Sequence, residues 1–255
     1  MSCAPEAGDA PPSGRVYLLG AGPGGVQYLT LQAHQILQRA DVLVYDALVD
    51  EALLDLVPRE CDRRHVGKRG GQPSTPQAEI NQLLVSLAHQ GQRVVRLKSG
   101  DPFIFGRCAA EIEALRQAGC PFQVVPGLSS ALVAPLLAHI PLTDPVLSQG
   151  FAVVTGHEPA QLNWEALSAL ETLVILMGTR QLPAIVEQLQ THGRSPSTPI
   201  AIIRWAGQPQ QQLWLGTLEN ILQKTSRQPL SPAIIVIGEV VRLRDYLQPL
   251  FESSS

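Results

Sequence analysis

Charge is scarce in this chain. Only 16% of its 255 residues are Asp, Glu, Lys or Arg, against 45% hydrophobic, so the composition points to a packed core and away from disorder. The balance of 19 basic and 22 acidic residues leaves a formal charge of −3, without the broad basic field that a nucleic-acid surface needs. The four cysteines (Cys3, Cys61, Cys108, Cys120) show neither paired metal-ligand spacing nor a disulfide framework, and a reducing cytosol is the expected compartment. No apolar run reaches membrane-spanning length, and no charged-then-apolar leader opens the chain. No internal repeat is visible.

What is present is alternation. Met1 to Gly14 is small, Pro-rich and aperiodic and reads as a flexible tail. Apolar strands are then expected at Val16–Leu19, Val42–Tyr45, Val94–Leu97 and Phe122–Val125. Helices fall between them at about 30–39, after Thr75-Pro76, and at about 109–118. Strands this continuously apolar belong to a mostly parallel sheet covered on both faces. The pattern breaks at Pro141 to Gly150, which sets an expected boundary between an N-terminal α/β domain (15–143) and a C-terminal one (144–250). The second half resumes with strands at Phe151–Thr155, Thr172–Met177, Ile200–Arg204, Leu213–Gly216 and Ala233–Gly238, and a helix near Leu182–Thr191. A hairpin expected near Trp214 makes its sheet mixed.

The richest stretch is Val94-Val-Arg-Leu-Lys-Ser-Gly-Asp-Pro-Phe-Ile-Phe-Gly-Arg107. It leaves a buried strand at a turn of small residues, sets a carboxylate there, adds an apolar wall and closes on a guanidinium. Ligand sites in α/β sheets concentrate at such turns. A second loop, Gly20-Ala-Gly-Pro-Gly-Gly25, satisfies G-x-G-x-x-G, with Asp46 at the distance of a ribose-binding acid, and alone it suggests an NAD-dependent oxidoreductase. Against this, Pro23 removes an N–H where a pyrophosphate needs one, and the helix starts late, near Thr30.

Further motifs follow in order: Val66-Gly-Lys-Arg-Gly-Gly71, Gln77 with Ile80-Asn81, Val125-Pro-Gly-Leu-Ser-Ser130, Ile140-Pro-Leu-Thr143, Val154-Thr-Gly-His157, Leu176-Met-Gly178 and Ser231-Pro-Ala-Ile-Ile-Val-Ile-Gly-Glu239. With the stretch ending at Arg107, this series resembles the uroporphyrinogen-III C-methyltransferases from about Val16 to Leu243. The resemblance implies two α/β domains with a cleft between them, a homodimer, and S-adenosyl-L-methionine bound in a folded shape. It also implies methylation of uroporphyrinogen III at carbons 2 and 7, giving precorrin-2 by way of precorrin-1, for sirohaem or cobalamin synthesis. A methyltransferase of a later precorrin intermediate is the neighbouring alternative. Neither a metal, a nucleic acid nor a membrane is implied.

Carried over position by position, the resemblance assigns the cofactor to Pro23, Ser99, Gly100, Asp101, Ile104, Ser129, Ser130, Met177 and Ala206. Asp46 and Lys68 match positions with acid–base roles, and Arg107 a residue that holds the substrate's carboxylates. Methyl transfer to carbon calls for these types: a proton must leave the macrocycle, hence a base, and a carboxylate-rich substrate needs cations. Arg63, Arg64, Lys68 and Arg69 form a cationic cluster, of which only Lys68 is assigned a role. Four positions depart from the family pattern: Gly25 for a usual Asp, Ala47 for a usual Arg, Ser99 for the first glycine of Gly-Gly-Asp, and Ala110 for an acid, leaving Glu111. No further domain is expected in front or behind, so the chain reads as a stand-alone methyltransferase.

Overall fold

A computed structural model describes residues 14–67 and 75–248. The expected tail lies outside these residues except for Gly14, whose N–H donates to the carbonyl of Ala88 at 3.0 Å. The chain divides into two units, residues 1–128 and 129–255.

In the first unit the elements run β1 (Arg15–Gly20), α1 (Leu31–Leu37), β2 (Val42–Tyr45), β3 (Asp62–His65), α2 (Gln77–His89), β4 (Arg93–Lys98), α3 (Cys108–Gln117) and β5 (Phe122–Val125). The five strands form one sheet in the order β3-β2-β4-β1-β5, every pairing parallel. Side chains alternate across it. Val16, Leu18, Val42, Val44 and Val94 pack against Ile80, Leu84, Leu87 and Leu115 of α2 and α3. Leu19, Leu43, Val95 and Leu97 pack on the other face against Ala33 and Leu37 of α1 and against Leu53. This is the doubly covered sheet that the apolar runs call for.

β3 is the strand the hydrophobic pattern does not reveal. Its residues Asp62-Arg-Arg-His65 are polar and largely exposed, as an edge strand permits, and its pairing with β2 alone places it. Two members of the expected cationic cluster sit on it. Arg64 Nε pairs with Asp62 at 2.7 Å and Arg63 reaches Asp55 at 3.9 Å, so both are engaged on the surface.

The second unit runs α4 (Ser130–Leu137), β6 (Phe151–Thr155), α5 (Trp164–Ala169), β7 (Thr172–Leu176), α6 (Leu182–Thr191), β8 (Pro199–Arg204), β9 (Gln212–Thr217), α7 (Ile221–Thr225), β10 (Ala233–Ile237) and α8 (Arg244–Leu247). Its sheet order is β6-β7-β10-β8-β9, with β6 and β7 parallel and the other pairings antiparallel. The mixed sheet and the β8–β9 hairpin agree with the sequence pattern. The junction does not. It falls after Leu128 instead of near residue 143, because Ala131 and Ala134 of α4, with Ala138 and Ile140, belong to the core formed with Val174, Ala201 and Val236. Pro141–Gly150 is therefore a loop within the second unit.

Candidate functional site

Alternation along β4 sets Arg96 and Lys98 on the face that carries Val94, inside the layer covered by α2 and α3. Both are buried with 2% of their surface exposed, and Glu111 of α3 between them has 0%. Lys98 Nζ donates to both oxygens of Glu111 at 2.9 Å, and Arg96 Nε donates to Oε1 at 3.0 Å. Arg96 Nη2 reaches out to Asp46 Oδ1 at 2.5 Å, and its Nη1 donates to the carbonyl of Leu97 at 3.3 Å. Burial alone would pull the Arg96 guanidinium down, but the charges of Asp46 and Glu111 outweigh it and hold the pKa above its ordinary value.

Asp46 stands one residue beyond β2, where its N–H donates to the Leu97 carbonyl at 3.2 Å. Its side chain keeps 28% of its surface exposed. α2 braces the same network: Gln77 Nε2 donates to Asn81 Oδ1 at 3.0 Å and reaches Glu111 Oε1 at 3.5 Å, while Asn81 Nδ2 donates to the Ala110 carbonyl at 3.1 Å.

The loops at the carboxyl ends of β1, β4 and β5 meet almost without side chains. Gly22 and Gly100 exchange backbone hydrogen bonds at 3.2 and 2.9 Å, both in left-handed conformations (φ 73° and 69°). A Cβ on Gly20 would lie 2.6 Å from the Gly100 carbonyl oxygen, and one on Gly127 only 2.3 Å from it. Ser99 has no positive φ, so a serine in place of glycine there meets no backbone penalty. Asp101 fastens the cluster, with Oδ1 accepting from the Phe103 N–H at 2.9 Å and Oδ2 from the Gly127 N–H at 3.3 Å.

Beyond Asp101 the chain makes a tight turn into α3. Phe105 and Arg107 are left-handed (φ 53° and 55°), an uncommon conformation for side chains of this size. A Cβ on Gly106 between them would lie 2.4 Å from the Pro102 carbonyl oxygen. Phe103, Ile104 and Phe105 are exposed beside this polar backbone, and Arg107, also exposed, occupies the N-cap of α3.

In the second unit the candidate residues again follow strand ends. Ser129 caps α4, its Oγ accepting from the Ala131 N–H at 3.3 Å, and Ser130 opens that helix. Met177, directly after β7, is left-handed (φ 56°) and half exposed. Ala206 follows β8 and is buried with Ala131, Ala134 and Leu176.

A family model, Tetrapyrrole (Corrin/Porphyrin) Methylases, matches residues 15–222. The chain belongs to the tetrapyrrole methylases. It is 63% identical to a uroporphyrinogen-III C-methyltransferase of Synechococcus elongatus over 92% of this chain and 96% of that one. It is 48% identical to siroheme synthase 1 of Yersinia pseudotuberculosis over 94% of this chain but only 53% of that protein, about half its length. A crystal structure of a uroporphyrin-III C-methyltransferase from Thermus thermophilus complexed with S-adenyl homocysteine superposes with a TM-score of 0.78 at 38% identity, covering 90% of this chain and 100% of that one.

As a tetrapyrrole methylase the chain uses S-adenosyl-L-methionine, and its residues fit that ligand. The glycines let the loops close on one another, since the space a Cβ would take at Gly20 is filled by Gly100 and Gly127 and at Gly22 by Tyr28, and Ile104 offers exposed apolar surface in the same unit. Of the residues expected from sequence, Pro23, Asp46, Ser99, Gly100, Asp101, Ile104 and Arg107 all lie on loops at the carboxyl ends of β1, β2 and β4. Ser129, Ser130, Met177 and Ala206 lie in the second unit, and Lys68 falls outside the described residues. Arg96 and Lys98 were missed. The signal for them was two charges at a spacing of two that follow the apolar pair Val94-Val95 in a central strand.

The dinucleotide reading fails on the fold. The sheet order departs from the 3-2-1-4-5 arrangement of dinucleotide-binding sheets. α1, capped by Thr30, starts only at Leu31, after a separate short 3-10 turn at Val26–Tyr28. Among the described residues, no group of acidic, His or Cys side chains could hold a metal ion, and no helix is long and apolar enough to cross a membrane.

Proposed function

We propose that this chain methylates uroporphyrinogen III at carbons 2 and 7, giving precorrin-2 by way of precorrin-1, and so feeds sirohaem or cobalamin synthesis. The observation that carries the reading is the likeness to the Synechococcus enzyme along nearly the full length of both chains. S-adenosyl-L-methionine supplies an electrophilic methyl group on a sulfonium, and the chain's residues supply position and proton transfer. Asp46, half-buried and held by Arg96, takes the proton that leaves the macrocycle. The exposed guanidinium of Arg107 binds a substrate carboxylate through two parallel hydrogen bonds. Gly100 and Asp101 shape the loop against which the methyl donor lies, with Pro23, Ser99 and Ile104 beside it. The same resemblance assigns Ser129, Ser130, Met177 and Ala206 of the second unit to the cofactor. Lys68 completes the acid–base pair on the strength of the resemblance alone. A homodimer in the cytosol belongs to the same proposal, and light scattering on the purified protein reports the assembly.

The deciding experiment is anaerobic incubation with S-adenosyl-L-methionine and uroporphyrinogen III. A doubly methylated product by mass spectrometry is the expected result. An unmethylated macrocycle, with methylation of a later precorrin instead, would overturn the substrate assignment.

A further inference from the structure

Two cations and one carboxylate are sealed together between β4 and α3, and three charges of this kind do not balance. Arg96, Lys98 and Glu111 leave one positive charge over, and Asp46 supplies the missing negative one. Asp46 is also the only member with appreciable exposure, 28% of its side chain against 3% or less for the others. The network therefore opens to the surface at one carboxylate.

We infer that Arg96 is a positioning residue, whose guanidinium fork holds the Asp46 carboxylate in one orientation and is itself locked by Glu111 and Lys98. The inference rests on the reading of Asp46 as the group that takes the proton from the substrate. Each of its three nitrogens is engaged: Nη2 by Asp46, Nε by Glu111, and Nη1 by the Leu97 carbonyl. A planar group fixed at three points cannot rotate, and the oxygen it grips is fixed with it. The main chain of Asp46 is tied to the same strand through its N–H to Leu97. Backbone and side chain are thus both referenced to β4. Lys98 in turn holds both oxygens of Glu111, so Glu111 serves inside the network as the lock on Arg96 and is fully buried away from any substrate.

Stability gives little reason for such an arrangement. A buried ion network is commonly matched or bettered by well-packed apolar side chains of similar volume. The residues around it on that face, Val44 and Val94 among them, are of that apolar kind. What apolar packing cannot do is orient a carboxylate that must remain at the surface.

Arg96→Lys keeps the charge and removes the fork, and Asp46→Asn removes the group the fork serves. In the anaerobic methylation assay, Arg96→Lys should lower kcat by roughly ten- to a hundredfold, the cost of misplacing a reacting group. KM and S-adenosylhomocysteine affinity should stay within about twofold. The same substitution on an Asp46→Asn background should cost almost nothing more, because its effect passes through Asp46. Glu111→Gln, which loosens the lock and spares the Arg96–Asp46 contact, should show the same dependence if Arg96→Lys folds poorly. An equal loss in both backgrounds, an unchanged kcat, or a loss confined to KM would overturn the positioning role while leaving the function intact. Wild-type protein that binds S-adenosylhomocysteine but methylates no uroporphyrinogen III would overturn the function and, with it, the role of Arg96.

Discussion

Cys108 opens α3 beside the buried charges, and burial, reinforced by Glu111, pushes its thiol up to about 11 against the opposing pull of Lys98 and Arg96. A raised thiol pKa means that the thiolate is scarce at any pH below it, so the side chain is a small core hydrophobe and no nucleophile. Iodoacetamide should therefore leave Cys108 unmodified in folded protein at pH 8, by mass spectrometry, while labelling it in denaturant. Rapid labelling of the folded protein would contradict the burial. Arg107, one residue earlier, combines a left-handed backbone with an exposed guanidinium. Arg107→Ala should raise KM for the porphyrinogen by on the order of ten- to a hundredfold, as loss of a charge-assisted contact does, and leave S-adenosylhomocysteine affinity unchanged. Arg107→Gly loses the same contact but relieves the left-handed strain, and should be the more stable of the two by about 1 kcal/mol in denaturant unfolding. If alanine and glycine proved equally stable, the strain would be absent. Asp101 shows the limit of a residue-level reading. The resemblance assigns it to the cofactor; that both its oxygens also accept from main-chain N–H groups, of Phe103 and Gly127, only the fold could reveal.

Elements were legible in proportion to how strongly burial patterns them. α6 was readable because Leu182, Ile185, Val186 and Leu189 all face the core at helical spacing. β3 was not, because an edge strand of Asp62-Arg-Arg-His65 buries too little to alternate. α4 escaped notice behind the Pro-Gly turn before it, and with it went the true junction after Leu128. β4 was recognised through Val94, Val95 and Leu97, yet its two buried charged positions passed unweighed because their partner Glu111 is supplied by a different element. Between elements, the contact of Gly20, Gly100 and Gly127 depends on backbones that touch. Gly127→Ala puts a methyl 2.3 Å from the Gly100 carbonyl oxygen and must part the loops after β4 and β5. It should cost about 2 kcal/mol or more of stability and weaken S-adenosylhomocysteine binding measurably. Gly150→Ala, where a Cβ meets nothing within 4 Å, is the matched control and should stay within about 0.5 kcal/mol of wild type. Equal behaviour of the two variants in thermal melts would show that the glycine contact is not tight.

At the scale of the whole molecule, strand-helix alternation with continuous apolar strands was enough to place the chain in the α/β class, because that pattern is written locally. The strand order was not, since pairing β4 between β2 and β1 joins residues far apart in the chain. That order nevertheless separates the two ligands the glycine-rich loop could suggest. A ligand that binds only the folded state stabilises it by mass action, by about 2.7 kcal/mol when present at a hundred times its dissociation constant. For a chain of this length each kcal/mol moves the melting temperature by roughly 2–4 °C, so saturating S-adenosylhomocysteine should raise it by about 5–10 °C. NADH at the same concentration should leave it unmoved, because the strand order and the late start of α1 offer its pyrophosphate no helix N-terminus behind the glycines. Differential scanning fluorimetry with the two ligands side by side makes the comparison. A shift with NADH and none with S-adenosylhomocysteine would mean that the loop at Gly20–Gly25 binds what its glycine spacing alone suggests, and that the sheet beneath it has been misjudged as a guide to the ligand.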